Sequence, residues 1–218
     1  MRVTSVSSPS SESLAPVLIA IESAATIAFA LSGLLEAARK RLDAVGVCMV
    51  AGLAAFGGGT LRDILLDRRP FFWVEHAGWL WVLLVLCVLA MLFMRTRHFE
   101  PTARAMQWPD AAGLGLFTAS GTQLALQGDS PAIVAVLMGV VTAVFGGVLR
   151  DIVCNEIPKA FRDHRPYALC AFVGGWVVVG CDAMGLADAV GLVSAAVVTT
   201  ALRAAAMLAR WKLPAWTS

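Results

Sequence analysis

The stretch FGGGTLRDI, Phe56–Ile64, returns later in the chain as FGGVLRDI, Phe145–Ile152. Each copy ends an apolar run, and in each flexible glycine backbone precedes an adjacent Arg-Asp pair. A shift of 88 positions lays Leu61, Arg62, Asp63 and Ile64 on Leu149, Arg150, Asp151 and Ile152, and Gly58 and Gly59 on Gly146 and Gly147. The same shift lays Phe29, Ser32 and Gly33 on Phe117, Ser120 and Gly121, Glu22 on Asp110, Pro70 on Pro158, and His76 on His164. Matches at one ungapped offset across three apolar segments identify a duplicated three-segment unit.

The segments are membrane spans. Of 218 residues, 59% are hydrophobic and only 15% charged, and mean hydropathy is +0.77. Soluble domains carry about 25% charge, so this chain lacks the polar groups to cover a water-facing surface. Its apolar runs are near the roughly 20 residues of a spanning helix, whereas barrel strands need about 9–11 with alternating polarity. Breakers and charges predict an all-α membrane protein with seven transmembrane helices, at 15–36, 43–66, 77–95, 109–127, 131–154, 166–182 and 185–208. Pro16, Pro109, Pro131 and Pro166 fall near the proposed starts, where a missing N–H costs nothing. The organisation follows: a disordered polar tail at 1–14, a first three-helix repeat at 15–95, a linker at 96–108, a second repeat at 109–182, a seventh helix at 183–208 and a tail at 209–218.

Three spans per unit is odd, so successive units cross the membrane in opposite senses. That is an inverted repeat, whose working site lies between the halves near the bilayer midplane. Lys and Arg set the orientation. With the N-terminus outside, the inner loops hold Arg39, Lys40 and Arg41, then Arg95, Arg97 and Arg104, then Lys159, Arg162 and Arg165, and finally Arg210 and Lys212. The outer segments hold only Arg2, Arg68 and Arg69, which places the linker and the C-terminal tail in the cytoplasm.

Gly57, Gly58 and Gly59 lie about midway through the second span. Each interior glycine costs a helix about 1 kcal/mol relative to alanine, so the triplet predicts a break or kink, with freed carbonyls acceptable only where they line water or an ion. Small residues that merely let helices approach are the alternative. Arg62–Asp63 and Arg150–Asp151 follow at a depth where ionisable groups face a cavity or each other, as flanking charges of a gate or as a structural clamp. Adjacent helical residues point about 100° apart, so each is expected to find a partner elsewhere. Ser32 and Ser120 could offer hydroxyls to a pore, with back-bonding to their own helix as the default. Thr60 follows the triplet, Glu22 and Asp110 are expected at the interface, and Arg39, Lys40 and Arg41 could hold anionic lipid headgroups.

Other chemistries find no footing. The five cysteines lack CxxC spacing, so neither a metal site nor a disulfide framework is indicated. There is no phosphate loop with Lys-Ser/Thr, no HExxH and no Ser-His-Asp pattern, and nothing supports nucleic-acid binding. An enzyme is not expected, nor a cofactor.

Two three-span units, each with a glycine motif and LRDI in its second helix, plus a seventh span, resemble the trimeric intracellular cation channels. The likeness is to their prokaryotic branch, catalogued as uncharacterised membrane proteins or under a glycine-transporter domain name, and it covers about 15–208. The resemblance implies a homotrimer in the bacterial inner membrane, each subunit with its own pore for monovalent cations (K⁺ or Na⁺), chiefly potassium. It implies that the second and fifth helices bend at Gly57, Gly58, Gly59, Gly146 and Gly147, with Arg62, Asp63, Arg150 and Asp151 flanking. The second motif departs from a triplet, since Phe145 and Val148 flank only two glycines. An inverted repeat is equally a transporter architecture, so a secondary transporter of a small zwitterion such as glycine stands as the alternative, and a non-conducting scaffold as a third class.

Overall fold

The structure is a computed structural model that describes residues 9–97, 102–162 and 166–211. Its elements are α1 (Pro9–Arg39), α2 (Ala44–Leu65), α3 (Phe72–Glu75), α4 (Gly78–Arg97), α5 (Ala103–Gln127), α6 (Ala132–Val153), α7 (Lys159–Arg162), α8 (Ala168–Ala183) and α9 (Asp188–Leu208). Within α1, Leu14–Arg39 is long and apolar enough to cross a membrane, as are α2, α6 and α9; the apolar parts of α4 and α8, Gly78–Phe93 and Ala168–Ala183, are shorter.

Two expectations at helix starts are corrected. α1 begins at Pro9 and takes in residues 9–14 of the expected tail, leaving Pro16 inside the helix. α5 begins at Ala103, within the expected linker, and encloses Pro109. There the Thr102 hydroxyl accepts from the Ala105 N–H, a cap that fixes the start before the proline can. Pro131 does stand at its helix start, as the N-cap of α6. Residues 1–8 of the tail, 98–101 of the linker, His164 and Arg165, and Lys212 onward lie outside the described residues.

α5 is the central helix, packed on α1, α6, α8 and α9, while α2 lies between α1 and α6 and α4 rides on the edge of α1 and α2. Polarity is distributed inside out. Glu22, Glu36, Arg62, Asp63, Asp110, Arg150, Asp151 and Arg203 are buried, whereas Trp81, Val85, Val88, Leu89, Leu92 and Phe93 of α4 are exposed. That pattern suits a solvent of lipid tails, in which charges gather among themselves and apolar side chains face outward.

The 88-residue offset reappears as contacts. Phe29 stacks on its own counterpart Phe117, ring centroids 5.5 Å apart. The helix ends repeat too: Arg41 and Asp129 both take a positive φ beyond α1 and α5, and Asp67 and Asn155 beyond α2 and α6. Asp and Asn tolerate this left-handed conformation because their short side chains bond locally; Arg41 has no such advantage.

The glycine motifs do not break their helices. α2 and α6 run as uninterrupted helix from Ala44 to Leu65 and from Ala132 to Val153, so the carbonyls expected to be freed there keep helical partners. The glycines serve the crossing of the two helices. A Cβ on Gly58 would lie 3.1 Å from the Thr142 carbonyl carbon and nearer still to its oxygen; one on Gly146 would lie 3.4 Å from the Ala54 carbonyl carbon, again with the oxygen nearer. Thr142 is the counterpart of Ala54 as Gly146 is of Gly58, so the crossing is made of two equivalent contacts. The propensity lost at each glycine is offset by bringing backbone against backbone, as small residues do between membrane helices.

Candidate functional site

At the C-terminal end of α2, Arg62 is 1% exposed. Its guanidinium reaches back to its neighbour, Nε and Nη2 donating to Asp63 Oδ1 at 2.9 and 2.7 Å, while Nη1 pairs with Glu22 of α1. The second oxygen of Asp63 accepts from the Phe72 N–H at the start of α3, 3.2 Å away. At the end of α6 the arrangement recurs. Arg150 donates through Nε to Asp151 Oδ1 at 2.9 Å and through Nη1 to Asp110 Oδ1 of α5 at 2.5 Å, and Asp151 Oδ2 accepts from the Lys159 N–H at 2.9 Å. Glu22 and Asp110 are therefore buried partners of the arginines. Each residue of the two pairs finds a partner elsewhere, as expected, and the neighbours pair as well, because an arginine is long enough to fold back across the angle between adjacent residues.

The serines part company. Ser32 does not back-bond; its hydroxyl accepts from Arg150 Nη1 at 2.5 Å and lies 3.5 Å from Asp110 Oδ1. Ser120 is fully buried and its oxygen has no hydrogen-bond partner among the described residues. The Thr60 hydroxyl is held locally, donating to the Phe56 carbonyl at 2.8 Å and accepting from the Trp73 indole at 3.1 Å.

The two ends of the α2–α6 crossing differ in access. Above Arg62 opens a cavity of about 610 Å³ whose lining includes Glu22, Asp63, Glu75 and Asp188, against the guanidiniums of Arg62 and Arg68. Four carboxylates facing two cations give this vestibule a negative field that concentrates cations. Around Arg150 the described residues pack closely. A Cβ on Gly147 would sit 3.2 Å from the Tyr167 hydroxyl, 3.5 Å from Asp110 Oδ1 and 3.6 Å from Arg150 Nη2. Beyond it Lys159 Nζ lies 3.3 Å from the Met106 sulfur and 3.4 Å from Glu36 Oε2.

Arg39 and Lys40 also turn to carboxylates. Arg39 bonds Glu36 at 2.5 Å, and Lys40 pairs with Glu156 in the link between α6 and α7. The hydrogen bond from Lys40 holds the Glu156 carboxyl below its ordinary pKa. Sequence reasoning passed over Glu36 and Arg203. Arg203, 2% exposed in α9, donates to the Pro166 carbonyl at 3.2 Å and lies 4.8 Å from the centre of the Tyr167 ring. An ionisable residue inside an apolar helix was the available signal for both; for Glu22 and Asp110 it was their alignment across the duplication.

Comparison with known proteins agrees with this duplication. A family model described as "Glycine transporter" matches residues 19–95 and again 107–183. A UPF0126 membrane protein of Vibrio cholerae is 36% identical over 201 residues, covering 90% of this chain and 81% of that protein. The UPF0126 inner membrane protein YadS of Escherichia coli K12 is 37% identical over 156 residues, 70% of this chain and 72% of the relative. Among solved structures, the trimeric intracellular cation channel orthologue from Rhodobacter sphaeroides superposes with a TM-score of 0.82 at 33% identity, covering 89% of this chain and 99% of that one.

Proposed function

The chain belongs to the glycine-transporter family, that of the UPF0126 membrane proteins, and we propose that it is a monovalent-cation channel, chiefly permeable to K⁺. The likeness to the Rhodobacter sphaeroides cation channel supports a channel rather than an enzyme. The observation that carries the reading onto this chain is the carboxylate-rich cavity that descends to Glu22 of α1 and to Asp63 at the C-terminal end of α2.

In this reading the seven long helices are two inverted three-helix repeats plus α9, with the N-terminus outside, the C-terminus cytoplasmic, and the chain in the bacterial inner membrane as a homotrimer. Each subunit passes ions between α2 and α6. Gly57, Gly58, Gly59, Gly146 and Gly147 are the points at which the two helices part or bend on opening. Arg62 and Arg150 stay neutralised by Asp63 and Asp151, so each end presents excess carboxylate to the path, as cation pores require. Lipid at Arg39, Lys40 and Arg41 competes with Glu36 and Glu156 for the first two of those charges.

Single-channel recording of purified protein in planar bilayers, with K⁺ gradients and Na⁺ substitution, tests the proposal. Unitary currents that reverse near the K⁺ potential are expected. A silent bilayer containing folded protein overturns it and favours the second reading, a transporter of a small zwitterion such as glycine. One observation favours that alternative: the Arg62 end opens onto a cavity while the described residues around Arg150 pack closely, an inequality that a carrier with one face exposed would also show. Saturable uptake of labelled glycine would establish it.

A further inference from the structure

The two arginine clusters repeat the arginine's contacts with its adjacent acid and with its distant acid, and they differ at the serine. Ser32 holds Arg150 Nη1 and lies beside Asp110. Its counterpart Ser120 is fully buried with an unpartnered oxygen, and the residue that the 88-position correspondence assigns to it is Arg62. The end with the serine engaged is the packed end; the end with the serine idle opens onto the 610 Å³ cavity. A buried hydroxyl without a partner costs free energy that a second arrangement could recover. Inverted repeats commonly alternate by exchanging the conformations of their halves.

We propose that Ser32 and Ser120 are alternating latches of the two mouths. In the arrangement described, Ser32 ties α1 to Arg150 of α6 and keeps the inner end closed. In the other, Ser120 of α5 takes Arg62, the vestibule closes, and Ser32 lets Arg150 go; ions pass when both latches are released. The arginines keep their carboxylates throughout, so no bare charge appears in the membrane. The inference rests on the reading of two opposed halves around a shared path, and it assigns the serines to gating rather than to ion coordination.

The test reads access, not current, so a silent bilayer does not decide it. Leu18→Cys places a thiol in the vestibule lining, and Met106→Cys places one beneath Lys159 at the packed end. Reaction with a charged thiol reagent present on both sides of proteoliposomes is followed for each, with the signal of the reporter-free protein subtracted. Losing a charge-assisted hydrogen bond from one latch should shift the balance by about tenfold. Ser32→Ala is expected to speed labelling at Met106→Cys and slow it at Leu18→Cys, and Ser120→Ala to do the reverse. Unchanged rates in Ser32→Ala, or shifts in the same direction for both serines, overturn the proposal. Ser32→Thr, which keeps the hydroxyl, should return the Ser32→Ala rates towards the original values, whereas a purely steric role would not be rescued.

Discussion

Alanine at Gly58 separates two accounts of the glycine motif with a change of sign. If the motif only loosens α2, alanine removes the entropic cost of an interior glycine and stabilises the protein by about 1 kcal/mol. The structure argues otherwise. The new Cβ would stand 3.1 Å from the Thr142 carbonyl carbon, with the oxygen closer, and neither atom can swing away because both belong to the α6 backbone. The helices must separate along their whole crossing, and overpacking of this kind costs about 1–3 kcal/mol. The net expectation for Gly58→Ala is a loss of up to about 2 kcal/mol, or roughly 4–8 °C in Tm for a chain of this size. Gly180 in α8 is the control, because nothing lies within 4 Å of its added Cβ; Gly180→Ala should hold or raise the Tm. Gly146→Ala should match Gly58→Ala, and the double variant should lose less than the summed effect, since one separation relieves both clashes. Tryptophan fluorescence of detergent-solubilised protein during heating reads all four. A Gly58→Ala variant that melts as high as Gly180→Ala would refute the close approach and return the glycines to the role of flexible joints.

Asp110→Ala leaves the buried Arg150 with Asp151 and Ser32 only. Removing one partner of a buried pair costs on the order of 3 kcal/mol, so the Tm should fall by about 6–12 °C; an unchanged melting curve would mean that the cluster carries no stability. The Lys40–Glu156 tie should be sensitive to acid. The folded carboxyl titrates below the value of about 4.3 that it has in the unfolded chain. Its contribution is therefore fully present above that pH and disappears as pH falls through the lower, folded value. Glu156→Gln should melt below the parent at neutral pH and converge with it as pH falls through that lower, folded value, and a gap that persists in acid would count against the tie.

The architecture was legible because the bilayer forces simple patterns: long apolar runs, basic loops and a duplication that leaves an offset. The start of α5 was hidden because a threonine cap outside the apolar run outweighs Pro109 as a start signal. At the glycines the sequence left break or kink and close packing side by side, because spacing shows the propensity lost in one helix and not the partner that recovers it. Thr142 and Ala54 belong to other turns of the duplicated unit, and nothing in either motif names them. The arginine clusters were half legible. Arg62–Asp63 and Arg150–Asp151 announced themselves, but the acids that complete them are 40 residues upstream in both halves and are visible only when the halves are laid on each other.

That last alignment carries more than the motif does. A conserved-looking tripeptide within one chain could persist for packing alone. A duplicated arginine, its adjacent acid, its distant acid and its backbone donor recur together only if the same three-dimensional arrangement was kept twice. The departures from that arrangement are then informative. Glu22 is one methylene longer than Asp110, Ser120 is idle where Ser32 is engaged, and Phe145 stands where the first motif has Gly57. Each change falls on the Arg62–Arg150 axis, and each makes the two ends unequal. A structural clamp does not require such inequality. In the proposed reading a path whose mouths meet different compartments does require its two ends to respond differently, and the unequal ends of α2 and α6 are what that reading accounts for.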